Sequence, residues 1–300
     1  MRPAPIAIPG AVAGDARPKP PPRPAYEALR VFARNPSALI GVLLLAAILA
    51  VTIFGPMAME ADPFEIAAAP MEPPGGELLL GSDYLGRDVL TGMIYGGRAT
   101  LLVGVVAAVL SMAIGITIGA LAGYYGGWVD ETLMRITEFF QVLPTLLFAM
   151  VLVTLFTPSL TTIAVAIGVV SWTGTARLAR GEFLRLKRRE YVLAERVIGA
   201  GDARIIWRVI LPNALAPLIV SATLAIGTAI LFEAGLSFLG LGDPNVMSWG
   251  LMIGSNRPYI LTAWWAVTLP GAAIFLTVLA VSLIGDGLND ALNPNSRGRA

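Results

Sequence analysis

Five windows of the sequence contain no Asp, Glu, Lys or Arg, and each is long enough to cross a bilayer. They lie between Arg34 and Glu60, Arg98 and Asp130, Glu138 and Arg177, Arg208 and Glu233, and Arg257 and Asp286. A helix crosses the hydrocarbon in about 20 residues at a rise of about 1.5 Å per residue. The third window holds two spans if they are joined tightly, and Thr157-Pro158-Ser159 is the turn chemistry to join them. The expected architecture is therefore an all-α polytopic membrane protein with six transmembrane helices and both termini on one side. With 56 % hydrophobic and only 14 % charged residues, the chain falls well outside soluble domains, where charged residues approach a quarter.

The basic residues orient these spans. With the N-terminus inside, 18 of the 21 Lys and Arg residues fall on inner segments, and Arg87, Arg98 and Arg257 alone fall outside. Cytoplasmic N- and C-termini are the consequence. The first span should start at Asn35-Pro36-Ser37, where Asn or Ser can cap a helix, and the sixth near Trp264-Trp265. Residues 1–34 read as a flexible basic tail: prolines at Pro18, Pro20, Pro21, Pro22 and Pro24 interrupt any signal-peptide core. Segment 35–97 holds the first span, an acidic external loop and an amphipathic helix expected to start at Ser82-Asp83. Five spans follow in 98–286, and 287–300 is a short C-terminal tail.

Several chemistries are excluded. Cysteine and histidine are both absent, which removes thiolate nucleophiles, Ser-His dyads, His-Glu-x-x-His metal sites and haem ligands. The two lysines, Lys19 and Lys187, follow Pro18 and Leu186, so no phosphate loop exists. No catalytic, cofactor-binding or metal-binding residue is expected, nor any nucleic-acid partner, and nucleotide energy must come from another chain. No charged residue lies mid-span, which counts against a proton or ion relay. Ser237 in Gly-Leu-Ser-Phe-Leu-Gly distantly resembles a nucleophile elbow, but an intramembrane enzyme lacks the base it needs.

Gly115, Gly119 and Gly123 recur every fourth residue of the second span, so another backbone can approach one ridge closely. That backbone belongs either to this chain or to a second membrane subunit.

The segment 185–213 is the one long charged stretch between apolar spans. Arg185 to Arg189 needs no role beyond orientation and contact with anionic lipid of the bilayer. Beyond it, Leu193 and Val197 share a helical face, Gly199-Ala200-Gly201 interrupts, Asp202 can cap a second helix, and Ile205, Ile206, Val209 and Ile210 form its apolar ridge. Two short helices about a glycine bend should result, and an apolar elbow projecting from a membrane implies a protein partner.

Here Ala194-Glu195, Gly199 and Val209-Ile210-Leu211-Pro212 resemble the signature loop of binding-protein-dependent ABC importer permeases. Leu193-Ala194-Glu195 departs from the general Glu-Ala-Ala, and Val209 stands where isoleucine is usual. Tyr191-Val192 with Gly199-Ala200 and Ile210-Leu211-Pro212-Asn213 is similar to the dipeptide and oligopeptide branch. So are Gly81-Ser82-Asp83-Tyr84-Leu85-Gly86-Arg87-Asp88, Gly123-Tyr124-Tyr125-Gly126-Gly127-Trp128, and Glu233-Ala234-Gly235-Leu236-Ser237-Phe238-Leu239-Gly240 with Ser248-Trp249-Gly250. Together they resemble the C-type subunit over roughly Tyr26 to Asn295.

The resemblance implies a type I ABC importer permease fold in a bacterial plasma membrane. It also implies a sister permease, two cytoplasmic ABC ATPase subunits that use ATP, and an extracytoplasmic substrate-binding protein. The cargo it implies is di- or oligopeptides, with nickel or another small solute behind them. By the same resemblance, Tyr191 to Ile206 is similar to coupling helices seated in an ATPase cleft and continued through Pro212 into the fifth span. The site residues it suggests are Tyr191, Leu193, Ala194, Glu195, Val197, Gly199, Ala200, Gly201, Asp202, Arg204, Ile205 and Pro212. Ala194 and Ala200 would leave room, Gly199 and Gly201 make the bend, Leu193, Val197, Ile205 and Ile206 supply apolar contact, and Arg196 or Arg204 pair with the partner's acids. On the outer side, Arg87 and Asp88 would face the binding protein or cap and pair locally. Glu233 reads first as a solvated span-end acid, with binding-protein or outer-gate contact as the alternative.

Overall fold

A computed structural model describes residues 24–59, 61–76 and 78–292. The described residues are helical, with three isolated β-bridges, Ile66 with Arg87, Gly75 with Leu78 and Ser82 with Asp88, as the only extended pairings among them. Residues 1–23 of the basic tail and 293–300 of the C-terminal tail lie outside this range. The rest of the tail is not irregular, because Pro24–Arg34 forms helix α1, whose Phe32 approaches Gly287.

Helix α2 (Pro36–Ala58) starts where the sequence predicts, since Asn35 Oδ1 accepts from the amides of Ser37 at 3.0 Å and Ala38 at 3.2 Å. Helix α3 (Val89–Tyr125) is a single unbroken rod of 37 residues. Its start differs from the expected Ser82-Asp83. Asp88 is the cap, accepting from the amides of Leu90 at 3.1 Å and Thr91 at 3.0 Å, while Ser82 and Asp83 are buried in an irregular loop. Asp83 Oδ1 accepts from the amides of Leu85 and Arg87, both at 2.8 Å, so its side chain closes a turn and opens no helix. Gly86 makes this turn possible: its φ is +87°, and a Cβ there would run into the Ala68 carbonyl.

The third window does turn at Thr157-Pro158-Ser159, but each arm is bent. Helix α4 (Gly127–Val142) meets α5 (Thr145–Leu155) at 87°, and α6 (Leu160–Val170) meets α7 (Thr173–Leu186) at 44°. Pro144, whose ring bars helix continuation, sits at the first break. Helix α8 (Glu190–Val197) is short. From Asp202 the chain is helical as far as Gly240, whose φ of +86° kinks the run just before its end at Leu241. The run comprises α9 (Asp202–Arg204), a π-helical turn Ile205–Ile210, α10 (Leu211–Leu236) and a second π-helical turn Ser237–Leu241. Short α11 (Trp249–Asn256) precedes α12 (Trp265–Leu292), which starts at the expected tryptophan. Among the described residues four helices are long and apolar enough to cross a membrane, and up to six spans result if each bent pair counts as one.

The glycine ridge of α3 is explained within the chain. A Cβ at Gly115 would lie 2.6 Å from Thr175 Cβ, one at Gly123 2.7 Å from Phe183 Cβ, and one at Gly119 against the Ala176 carbonyl and Ala179. All of these neighbours belong to α7. The ridge is therefore a close helix crossing within the chain, held by small residues where lipid offers no hydrophobic drive.

Candidate functional site

The elbow between α7 and α10 is built from one inward anchor and one strained residue. Val192 is the anchor: it is fully buried among Phe183, Leu186, Ile205, Ile206 and Ile210. Glycine is required at Gly199 alone, with φ +83°. The Gly199 amide donates to the Arg196 carbonyl at 3.0 Å, and the Ala200 amide to the Glu195 carbonyl at 3.0 Å. These two bonds form a Schellman cap, which satisfies the last carbonyls of α8 and turns the chain into the next helix. Gly201 has φ −69° and open space where a Cβ would stand, so the bend does not depend on it.

The next helix differs from the expected separate amphipathic piece. Ile205 and Ile206 are buried in this chain's own core and leave no side-chain surface for a partner. Leu193, Val197 and Ile198 are exposed instead, Val197 at 87 % and Ile198 at 75 %. The exposure of Ile198 is not legible in the sequence, because the residue follows the last regular turn of α8, where helical periodicity stops reporting direction. Tyr191, Ala194, Gly201 and Arg204 are also exposed, and Glu195 and Ala200 are half-buried. Arg204 Nε lies 3.6 Å from Glu195 Oε2, an ion pair across the bend within the chain.

Asp202 does not cap. It accepts a 2.6 Å hydrogen bond from the hydroxyl of Tyr124, near the end of α3, and the Arg196 guanidinium stacks 5.2 Å from the same ring. Lys187 Nζ donates to the carbonyls of Gly123 at 2.7 Å and Tyr124 at 3.4 Å, placing a cation on the negative end of α3. Burial, and next the charge of Arg188, hold this ammonium below the ordinary lysine range. The elbow is therefore tied to α3 as well as to α10. Pro212, exposed in the first turn of α10, lacks the amide a regular helix needs. The π-turn before it is closed by Leu211, whose amide reaches back five residues to Ile206.

At the other end of α10, Glu233 is not a solvated span-end acid. It is 1 % exposed and accepts from Ser237 Oγ at 2.8 Å, Ser248 Oγ at 2.8 Å and Thr100 Oγ1 at 3.3 Å. Single-residue reasoning missed these partners because they come from three separated stretches, although Glu-x-x-x-Ser at helical spacing is a signal for the first. Asp88 is engaged in capping α3, and Arg87 stacks 4.9 Å from the Phe64 ring. Among the described residues no group of acids forms a metal site.

Two family descriptions match the chain. Residues 115–298 match the binding-protein-dependent transport system inner membrane component, and residues 24–74 match the N-terminal TM domain of oligopeptide transport permease C. The chain belongs to the binding-protein-dependent transport permeases, in their DppC/OppC branch.

This permease is 42 % identical over 287 residues to the di/tripeptide transport system permease protein DppC of Pseudomonas aeruginosa, covering 93 % of this chain and 95 % of the relative. It is 40 % identical over 282 residues to the dipeptide transport system permease protein DppC of Haemophilus influenzae, covering 91 % and 96 %. The oligopeptide transport system permease protein OppC of Bacillus subtilis is 36 % identical over 273 residues, with 90 % of each chain covered. A solved structure titled as inward facing conformations of the MetNI methionine ABC transporter superposes with a TM-score of 0.57. It covers 67 % of the permease and 96 % of that chain at 20 % identity, so it speaks to the shared fold alone.

Proposed function

We propose that this permease is the pathway-forming subunit of an ATP-driven importer of di- or oligopeptides. In this reading it pairs with a sister permease, receives cargo from an extracytoplasmic binding protein, and takes force from two cytoplasmic ATPases through the elbow. Both termini and the elbow lie in the cytoplasm of a bacterial cell whose plasma membrane holds the six spans. The peptide cargo rests on the names of the relatives. The coupling role rests on one observation above the others: Val197 and Ile198 stand exposed beside a Schellman cap whose helix is anchored by buried Val192. An apolar tip held rigidly in water is stabilised by a groove in another protein.

The chemistry asked of this chain is mechanical, and hydrolysis belongs to the partner ATPases. The elbow continues without a break into α10, so a displacement at Asp202 tilts the helix as far as Leu236. Rocking of such helices exposes a central pathway alternately to either side.

The test is reconstitution of the permease with its sister permease, ATPases and binding protein in vesicles, followed by uptake of labelled dipeptide. Val197→Asp should abolish ATP-dependent uptake while the protein remains membrane-inserted. Uptake at the wild-type level in that variant, or uptake without any ATPase, rejects the reading.

A further inference from the structure

Glu233 joins two bodies that the coupling reading leaves unconnected. One is the helix that begins at the elbow. Glu233 stands 31 residues beyond Asp202 on that run, roughly 45 Å away at helical rise. The other is the platform at the far end, made of α11, the turn after it and the loop residues 61–76 and 78–88.

The junction is made of hydrogen bonds to a single carboxylate. Ser248 Oγ donates to Glu233 Oε1 and in turn accepts from the Leu251 amide at 3.1 Å, so the carboxylate orients the hydroxyl that caps α11. Thr100 Oγ1 donates to Oε2 and accepts from the Trp249 amide at 3.2 Å, which brings α3 to the same point. Glycines remove any slack: a Cβ at Gly250 would meet Ala234 Cα at 2.7 Å, and one at Gly254 would meet the Ser237 carbonyl at 2.7 Å. Helix α11 therefore lies directly on the end of α10.

At its other end α11 holds the loop. Asn256, 2 % exposed, accepts from the Tyr84 amide at 3.1 Å, and the rings of Tyr84 and Tyr259 stack 5.6 Å apart. Trp265 Nε1 donates to the Ser82 carbonyl at 3.0 Å. A path of polar contacts thus runs from Glu233 to Ser248, whose carbonyl accepts from the Met252 amide at 3.0 Å, then to Asn256, which donates to the Met252 carbonyl at 2.8 Å, and on to the loop.

We infer that Glu233 is a positioning residue that makes the platform move with α10, so that displacement of the elbow reaches the face where the binding protein docks. This rests on the coupling reading of the elbow. Its requirement is hydrogen-bond acceptance and not negative charge, because every partner is a hydroxyl and each donates. A glutamine keeps an acceptor for both serines, whereas an alanine leaves three buried hydroxyls without theirs.

The chain has no cysteine, so spin labels can be placed at will. One pair, at Leu79→Cys on the loop and Phe156→Cys beside the α5–α6 turn, reports platform position in the assembled complex. A second label, at Ala203→Cys, exposed on α9 and outside the apolar tip, reports the elbow. In the wild type, the platform distance should change between the nucleotide-free and the ATP-plus-vanadate states. Glu233→Gln should retain that change. Glu233→Ala and Asn256→Ala should each lose it, the double variant should lose no more than either, and binding-protein-stimulated hydrolysis should fall about fivefold or more in both. Asn256→Ala leaves the Glu233 junction intact, so the test does not hang on whether Glu233→Ala folds.

A Glu233→Ala protein with the wild-type distance change overturns the inference. So does Glu233→Gln behaving as Glu233→Ala, additive losses in the double variant, or a platform that stays still while the elbow label responds. An elbow label indifferent to the ATPases rejects the coupling reading itself, and the inference with it.

Discussion

Arg98 Nε lies 2.7 Å from the carbonyl oxygen of Thr52, the acceptor whose helical donor would have been the amide of residue 56. That residue is Pro56, inside α2, and has no amide. The guanidinium on α3 therefore replaces a backbone donor missing from α2 and fastens the two helices together. It extends to the neighbouring Ile53 carbonyl as well.

Arg98→Ala should accordingly lower stability by about 1.5–3 kcal/mol, the range for a hydrogen bond that involves a charged group. In a Pro56→Ala background, where the amide is restored, the same substitution should be nearly silent. Thermal unfolding of the four proteins in detergent forms a double-mutant cycle that reads this. Equal losses in both backgrounds would show that Arg98 acts by some other route.

The α3–α7 crossing predicts a sharp contrast between two glycines. Gly119→Val drives a branched side chain into the Ala176 carbonyl and Ala179, and should destabilise by roughly 1–3 kcal/mol or prevent insertion. Gly181, on α7, has nothing within 4 Å of a built Cβ, and Gly181→Ala should be neutral or slightly stabilising in the isolated chain. Expression level and unfolding midpoint of the purified permease compare the two directly.

At the elbow, Gly199→Val should abolish coupled uptake while membrane insertion is retained, because φ +83° is closed to a branched residue. Gly199→Asn should retain most of it, since asparagine tolerates the left-handed region. Gly201→Ala should be harmless, its backbone being extended and its surroundings open. Uptake assays on the three variants separate backbone strain from loss of space. A Gly199→Val permease with normal uptake and normal stimulated hydrolysis would remove the elbow from the mechanism.

Lys187 yields a pH dependence. Its ammonium is held below the ordinary lysine value of 10.5 by burial first and Arg188 second. The unfolded chain therefore binds this proton more tightly than the folded one, and over the alkaline window ending near 10.5 the Lys187 contribution to stability rises with pH. Relative to Lys187→Met, the unfolding midpoint of the wild type should improve as pH rises through that window. Parallel pH profiles for the two proteins contradict this assignment.

Features governed by one stretch of chain were legible in advance. The caps at Asn35 and the α12 start at Trp265 follow from local chemistry, as does the tight turn at Thr157-Pro158-Ser159. The Ser82-Asp83 helix start failed because two capping acids, Asp83 and Asp88, compete within five residues. Asp83 was drawn off by the amides of Leu85 and Arg87, a choice set by how the loop packs. Periodicity marks Ile205 and Ile206 as one apolar face, but it does not say whether a face meets a partner or, as here, the chain's own core.

Membrane residence, the number of long apolar windows, the placement of basic residues and the glycine at 199 were determined by the sequence alone. Each depends on hydrocarbon thickness, charge desolvation or a backbone angle that local residues control. The partners of Glu233, Arg98 and Tyr124 were decided by tertiary structure. Apart from Ser237, four residues on and within helical reach of Glu233, their hydrogen bonds join positions 15 and 133 residues apart for the first, 45 and 46 for the second and 78 for the third. An acid at a span end is solvated or buried according to what packs over it, and for Glu233 the cover is α11, a short helix held there by the very hydroxyl the acid accepts.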